Sequence, residues 1–404
     1  MESNSETVDS LLAVNRLTYG MPPAVSVATA RRQVQNFPQV STSASGTTII
    51  YNIQSGDQFV YGPKSYLRMV LSDFVGGVAT DRNISGVGAL FDRITVSSRS
   101  GVELCRIEAF DVYMDKIAKW FRTQQHFDRL QAPALLDETD IADGTVCVLP
   151  LNFIPFFAQD RLLPPEIMEG MIIRFDLSTA AVAFRAGSAV STPVASYNIT
   201  SRLNLDCTVL ADQYRRAVAS IAASDGLIML HEEAFYSQVN ATGTGINFDI
   251  KKSASKATGF MTMTRDTAVF NKQESNHQAS EPYNFSSLQL QVGSQYYPQA
   301  PLTQTATGDF TSRETYYYVE NQIGDMENKA GYDQFFQVNG NTCNAVFYQD
   351  LTDASSAMSG IVLNGSRALL ANITMGSALS RRVDSWLFHL RLVRAFSNNT
   401  VVRD

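Results

Sequence analysis

Between Ile199 and Val209 the chain changes character at almost every residue. Ile199, Leu203, Leu205, Cys207 and Val209 alternate with Thr200, Arg202, Asn204, Asp206 and Thr208. Successive side chains on a pleated backbone point to opposite sides, so a period of two reads as a strand with one face in a core and the other in water. The same grammar recurs along the chain. In the first half it falls at 47–53, 66–71, 90–96, 146–151 and 171–177, bounded by Gly, Pro or Ser. In the last of these Ile173, Phe175 and Leu177 face one way, Arg174 and Asp176 the other. In the second half it falls at 227–230, 246–250, 259–263, 288–292, 345–348, 369–373 and 386–392. One segment breaks the pattern: Ile107, Phe110, Met114, Ile117 and Phe121 recur at spacings of three and four, which places them on one face of an inserted helix.

At 404 residues the chain is long for a single sandwich and suits two domains, each burying its own core. Its charged fraction, 18%, lies below the roughly 25% usual for soluble domains. Ser, Thr, Asn and Gln make up the difference beside Val, Ile, Phe and Tyr, residues that fit a pleated surface and its turns. Roughly eight strand segments per half is the number of two jelly rolls in succession. The expected fold is therefore all-β: two tandem eight-stranded antiparallel jelly rolls with short inserted helices and an N-terminal arm. The arm covers 1–45, with Val8, Leu11 and Leu12 on one side of a short amphipathic helix, a stop at Met21-Pro22-Pro23, and a polar stretch without strand periodicity. The first jelly roll spans 46–218 and the second 219–404, joined by an Ala-rich helix or linker at 214–225. No residue-level repeat relates the halves.

A net charge of −7 argues against a chain that coats nucleic acid through phosphate contacts. Cys105, Cys147, Cys207 and Cys343 lie far apart, without metal-ligand spacing, and read as reduced core thiols. The opening MESNSETVDS has neither the basic start nor the apolar core of a leader, and no window is as apolar as a membrane span, so folding in a reducing cytosol is expected. The sequons at Asn83 and Asn372 then read as chance.

Chemistry is hard to place. His126, His231, His277 and His389 are scattered, and His389 is expected on the solvent face of its strand. His231-Glu232-Glu233 and the carboxylates Asp137, Glu138 and Asp140 read as solvated loop charge. No GxSxG, Walker A, HExxH or GxGxxG occurs. Gly243, Gly245 and Lys251-Lys252-Ser253 read as a hairpin with a basic face. The Tyr296-Tyr297 and Tyr316-Tyr317-Tyr318 clusters offer area with a polar tip, suited to packing, protein interfaces or sugar-binding loops. No catalytic, cofactor-binding or metal-binding residue is nominated, and no enzyme activity is expected.

Three segments in order resemble the double jelly-roll major capsid proteins of icosahedral DNA viruses, the lineage of adenovirus hexons, giant-virus and virophage capsids and tailless membrane-containing phages. The first runs from Leu90 to Val96 through Gly101-Val102-Glu103-Leu104 to Ile107-Glu108-Ala109-Phe110. The second is Leu149-Pro150-Leu151-Asn152-Phe153, then Leu162-Leu163-Pro164-Pro165-Glu166-Ile167 and the strand at 171–177. The third is 203–212 with Arg215-Arg216 after it. From first to last they span about a third of the chain, all in its first half, with a weaker echo at 290–295. Phe156-Phe157-Ala158-Gln159-Asp160-Arg161 departs from the Cys-Arg-Asn-Pro stretch common in giant-virus members.

The resemblance implies a virion protein, made in the host cytosol, that forms homotrimers of six upright barrels and tiles flat facets as a pseudo-hexagon. Its partners would be itself, minor capsid and penton proteins, and an underlying membrane reached by the arm, with no sequence-specific nucleic acid. The arm would lie near the base and the longer loops would form an outer tower. Two alternatives stay open: a carbohydrate- or receptor-binding tandem β-sandwich using the tyrosines, and a glycan-processing enzyme, which would need two carboxylates about 5–10 Å apart.

Overall fold

The computed structural model describes residues 28–77, 83–84, 86–136, 139–184, 193–267, 285–303, 312–323, 346–352, 360–364, 368–396 and 401–403. In the first half the strands are β1 (Ala28–Asn36), β2 (Thr42–Ala44), β3 (Thr48–Asn52), β4 (Phe59–Tyr61), β5 (Tyr66–Val75), β6 (Asn83–Ile84) and β7 (Phe91–Ser97). They continue as β8 (Glu103–Glu108), β9 (Thr139–Asp140), β10 (Val146–Pro150), β11 (Leu162–Leu163), β12 (Ile172–Leu177) and β13 (Ser196–Leu210). Helices α1 (Phe110–Trp120) and α2 (Gln124–Gln131) are inserted between strands, and α3 (Asp212–Ser224) follows β13. The second half holds β14 (Leu227–Ile250), β15 (Ala254–Asp266), β16 (Phe285–Val292), β17 (Gln295–Thr303), helix α4 (Ser312–Ile323), β18 (Phe347–Asp350), β19 (Ile361–Leu363), β20 (Leu369–Ala395) and β21 (Val401–Arg403).

Two large sheets and the small β6-β9 pair make the first half. One has the order β10-β5-β13-β4-β11, with β1 and β2 also on β13; the other is β3-β12-β7-β8. Alternation on β12 is as expected, with Ile173, Phe175 and Leu177 buried. The sheets meet through such faces, and Tyr51 on β3 donates to Ser201 Oγ on β13 at 2.6 Å. Edge-on rings of Tyr51 and Phe175, 6.0 Å apart, fill the space between.

Three expectations for this half are corrected. The polar stretch of the arm is structured from Ala28: β1 pairs antiparallel with β13 from Ala28↔Leu210 to Asn36↔Leu203, and β2 pairs with it at Ser43↔Ile199. Most of β1 is exposed, so backbone hydrogen bonds and the Arg31–Asp206 ion pair hold it, and no apolar alternation is needed. The helix expected at Val8, Leu11 and Leu12 lies outside the described residues. Second, the polar face of β13 is wet at one end only: Thr200 is exposed and Arg202 half-buried, but Asn204, Asp206 and Thr208 are buried where β1 runs alongside and Arg31 reaches over to Asp206. Third, α1 does not have a single buried face. Every residue of it is buried, including Asp115, Lys116 and Lys119, and Asp115 pairs with Lys116 at 3.0 Å and Lys119 at 2.5 Å. Gly88 permits this close seating, since a Cβ there would meet Met114 at 2.9 Å.

In the second half, segments that read as separate strands merge. Residues 227–230 and 246–250 both lie on β14, and 369–373 and 386–392 both lie on β20. β20 carries β14 along one edge, and β16 then β15 along the other. The basic segment 251–253 is therefore not a hairpin turn, because β14 and β15 each pair with β20. Lys252 sits over the Phe235 ring at 5.1 Å.

No described strand pair crosses α3, yet the cores are not separate as expected: the buried apolar side chains of both halves form one continuous cluster. Cys105, Cys147 and Cys207 are buried free thiols, and Cys343 lies outside the described residues. Burial pushes Cys147 up to about 12 and Cys207 up to about 11. A thiol reagent is expected to leave these three unmodified in the native protein and to titrate four free groups in denaturant. Two or none would mean a disulfide.

Candidate functional site: the seam between the two halves

The most elaborate constellation lies where the halves meet. β8 is an edge of the four-stranded sheet and lies along β14, and α1 leads off directly after β8. Two hydrogen bonds cross here: Trp386 Nε1 donates to the Glu108 carbonyl at 3.3 Å, and His231 Nε2 to the Leu104 carbonyl at 3.0 Å. Rings interleave around them. Tyr113 on α1 lies 6.3 Å from Trp386 and 6.4 Å from Phe388, and Phe156 packs edge-on against His231 at 5.4 Å.

Charged groups are buried beside the rings. Asp384 has no exposed side-chain surface; it accepts from Arg265 Nε at 2.6 Å, from Arg382 Nε at 2.8 Å and from the Tyr236 hydroxyl. Burial pushes this carboxyl up, but the two guanidinium groups outweigh it and hold it below the usual carboxylate range. Its contribution to stability is present above the ordinary value and is lost as pH falls through the lowered one. Asp111 on α1 has the opposite sign. Burial, partly offset by Arg265, pushes it up to about 6 from 3.8, so its contribution is greatest below 3.8 and declines as pH rises toward 6. Asp111→Asn removes the charge and keeps the shape. It is expected to stabilise the protein by about 1–2 kcal/mol at pH 7.5 and by far less at pH 4, read by urea denaturation at each pH. An equal effect at both would refute the assignment.

Other residues singled out in the sequence are placed as follows. His389 is buried, not solvent-facing, because the face it shares with Glu233 and Arg391 is covered; its Nε2 lies 3.4 Å from Glu233, which also pairs with Arg391. Glu233 is thus ion-paired and not solvated loop charge, whereas Glu232 is exposed on the opposite face of β14. His126 lies on α2. His277, Asp137 and Glu138 lie outside the described residues, as does the Asp140 side chain. Gly243 sits on β14 at an irregularity of the β14–β20 pairing. Tyr296 and Tyr297 lie on β17 and the second cluster on α4, neither in a loop; Tyr317 is exposed, while Tyr318 stacks on Phe347. Among the described residues, no three of His, Cys, Asp and Glu converge as a metal would need.

A cleft of about 230 Å3 opens at the seam. Tyr113, Phe121, Tyr348 and Phe388 wall it, with Phe121 edge-on to Tyr348 at 5.0 Å and Tyr348 6.2 Å from Phe388. Glu232 lines one part, Arg122 and Asn152 another. Sequence reasoning missed this cleft because its walls come from α1, the segment after β10 and three second-half strands. The Phe121 spacing marked a helix face and nothing more.

No family model and no curated protein matches the chain. Solved structures do. The PBCV-1 protein VP54, in its crystal structure fitted into a cryo-EM reconstruction of the virophage Sputnik, superposes with a TM-score of 0.66 at 11% identity, covering 95% of this chain and 98% of that one. The Faustovirus major capsid protein gives 0.61 at 8% identity over 95% and 94%, and the mavirus major capsid protein 0.55 at 10% over 100% and 95%. At such identities the likeness is one of fold: the chain has the double jelly-roll fold.

Proposed function

We propose that this double jelly-roll chain is a major capsid protein, a structural subunit without catalytic function that tiles the facets of an icosahedral virion. The seam carries the reading. It joins two sandwiches into one body through crossing hydrogen bonds, interleaved rings and a common core. A tile must hold its two barrels at a fixed angle, since any play between them would multiply across a facet. A binding module has no such need.

The functional unit in this reading is a homotrimer, whose six barrels make a pseudo-hexagon able to tile a plane. The domain division falls in α3, near residue 218, with residues upstream of β1 acting as the arm toward neighbours or a membrane. Minor capsid and penton proteins would fill the remaining positions. Sedimentation of the purified chain should give about three times the 44.5 kDa subunit mass, and negative-stain images should show pseudo-hexagonal particles or sheets. A monomer that images as isolated small ellipsoids would overturn the reading.

A further inference from the structure

The aromatic cleft at the seam is more than a packing fault. Five rings line it, and the face of an aromatic ring attracts cations. The exposed Glu232 lies among them, and its one described bond is the 2.6 Å hydrogen bond it accepts from Thr258. No described cation pairs with it. The other part of the cleft has the opposite character. Arg122 donates through Nη2 to the Asn152 carbonyl at 3.1 Å and lies over the Phe153 ring at 5.6 Å, while its buried Nε has no hydrogen-bond partner. The Asn152 side-chain oxygen is likewise buried and unpartnered. Arg122 and Glu232 form no ion pair with each other although both line the same cleft. One cleft thus offers an anion and ring faces in one part, and an unfilled guanidinium donor in another.

We propose that this cleft binds a small zwitterion of the phosphocholine type, with its quaternary ammonium against the rings and Glu232 and its anionic group on Arg122. A simple cation would leave the Arg122 donor unfilled and would feel its repulsion. A simple anion would meet Glu232. Only a molecule carrying both charges satisfies both parts, and the methylated ammonium suits ring faces better than a strongly hydrated amine. The shared chemistry admits two sources, a free metabolite or a lipid headgroup.

Calorimetric titration of the full chain tests this with three probes. Phosphocholine should bind, choline should bind more weakly, and the uncharged isostere 3,3-dimethylbutanol should not bind measurably. Glu232→Gln, at an exposed position, should weaken phosphocholine and choline alike by about tenfold or more. Arg122→Met should weaken phosphocholine to a similar degree and leave choline unweakened or bound more tightly, a split that mere loosening of the cleft would not give. Co-sedimentation with phosphatidylcholine vesicles, abolished by Glu232→Gln, would assign the headgroup; binding of the free molecule alone would assign the metabolite. Phosphocholine failing to bind in either form overturns the proposal, as does unchanged affinity in Glu232→Gln. Should Arg122→Met not fold, Glu232→Gln and the neutral isostere decide.

Discussion

Asp384→Ala is expected to cost about 3–5 kcal/mol of folding stability, a large share of the roughly 5–15 kcal/mol that holds a typical domain together. The carboxylate has no exposed surface, and its removal takes from Arg265, itself 3% exposed, the buried acceptor to which its Nε donates. Arg382 and the Tyr236 hydroxyl lose their acceptor in the same stroke, although Arg382 Nη2 keeps its 2.6 Å bond to Tyr236. Asp384→Asn should be nearly as damaging, because an amide keeps the volume but supplies neither the charge nor two acceptors. The double variant Asp384→Leu with Arg265→Met should recover much of the loss, since a well-packed apolar pair can replace a buried ion pair. Urea denaturation of the three variants measures this. A loss under 1 kcal/mol for Asp384→Ala would mean that water reaches the cluster.

Trp386→Ala strikes the seam at its centre and should cost about 3–5 kcal/mol through lost burial and the cavity left behind. Trp386 is fully buried between Tyr113 and Tyr236, whose rings lie 6.3 Å and 5.4 Å from it, and it supplies one of the crossing hydrogen bonds. Trp386→Phe should cost less, about 1–2 kcal/mol, by keeping most of the ring contact and losing the bond to Glu108. The location of the damage is the sharper test. If the seam couples the halves, the alanine variant should split one unfolding transition into two and open the 211–226 segment to protease. A single transition merely shifted to lower urea would place Trp386 in the second half's own core, with no coupling role.

The parts of the fold that sequence made legible are those where one side of a strand meets a core and the other meets water. β12 reads directly, since Arg174 is exposed and Phe175 buried. β1 was invisible: Arg31, Arg32 and Gln33 carry no apolar rhythm, and the strand exists because β13 offers it a free edge. His389 was misplaced for the converse reason, since a strand covered on both faces no longer needs polar residues on the solvent side. The seam was legible only as fragments. Ile107, Phe110, Met114, Ile117 and Phe121 announced a helix, but nothing near them in sequence tells that Trp386 and Phe388, more than 260 residues later, cover its far side. Asp384 and Arg265 are unremarkable as letters. Their role comes from pairing between β15 and β20, which brings Thr264 opposite Val383 and their neighbours together.

The position of β20 also sets an order of events during synthesis. The described strands of the first half, from β1 to β13, pair with one another and with none of the described strands of the second, so they can close soon after residue 210 leaves the ribosome. The second half has no such option. β14, β15, β16 and β21 all pair with β20, so β14 must wait for more than a hundred further residues before its partner exists. Through that interval the long strand β14 stands with an unsatisfied edge, and the apolar flank of α1 stands uncovered. Both invite association with other nascent chains. Ribosomes paused or slowed ahead of codon 369 should lengthen that window, and the aggregates recovered should contain chains with a folded first half and an open second.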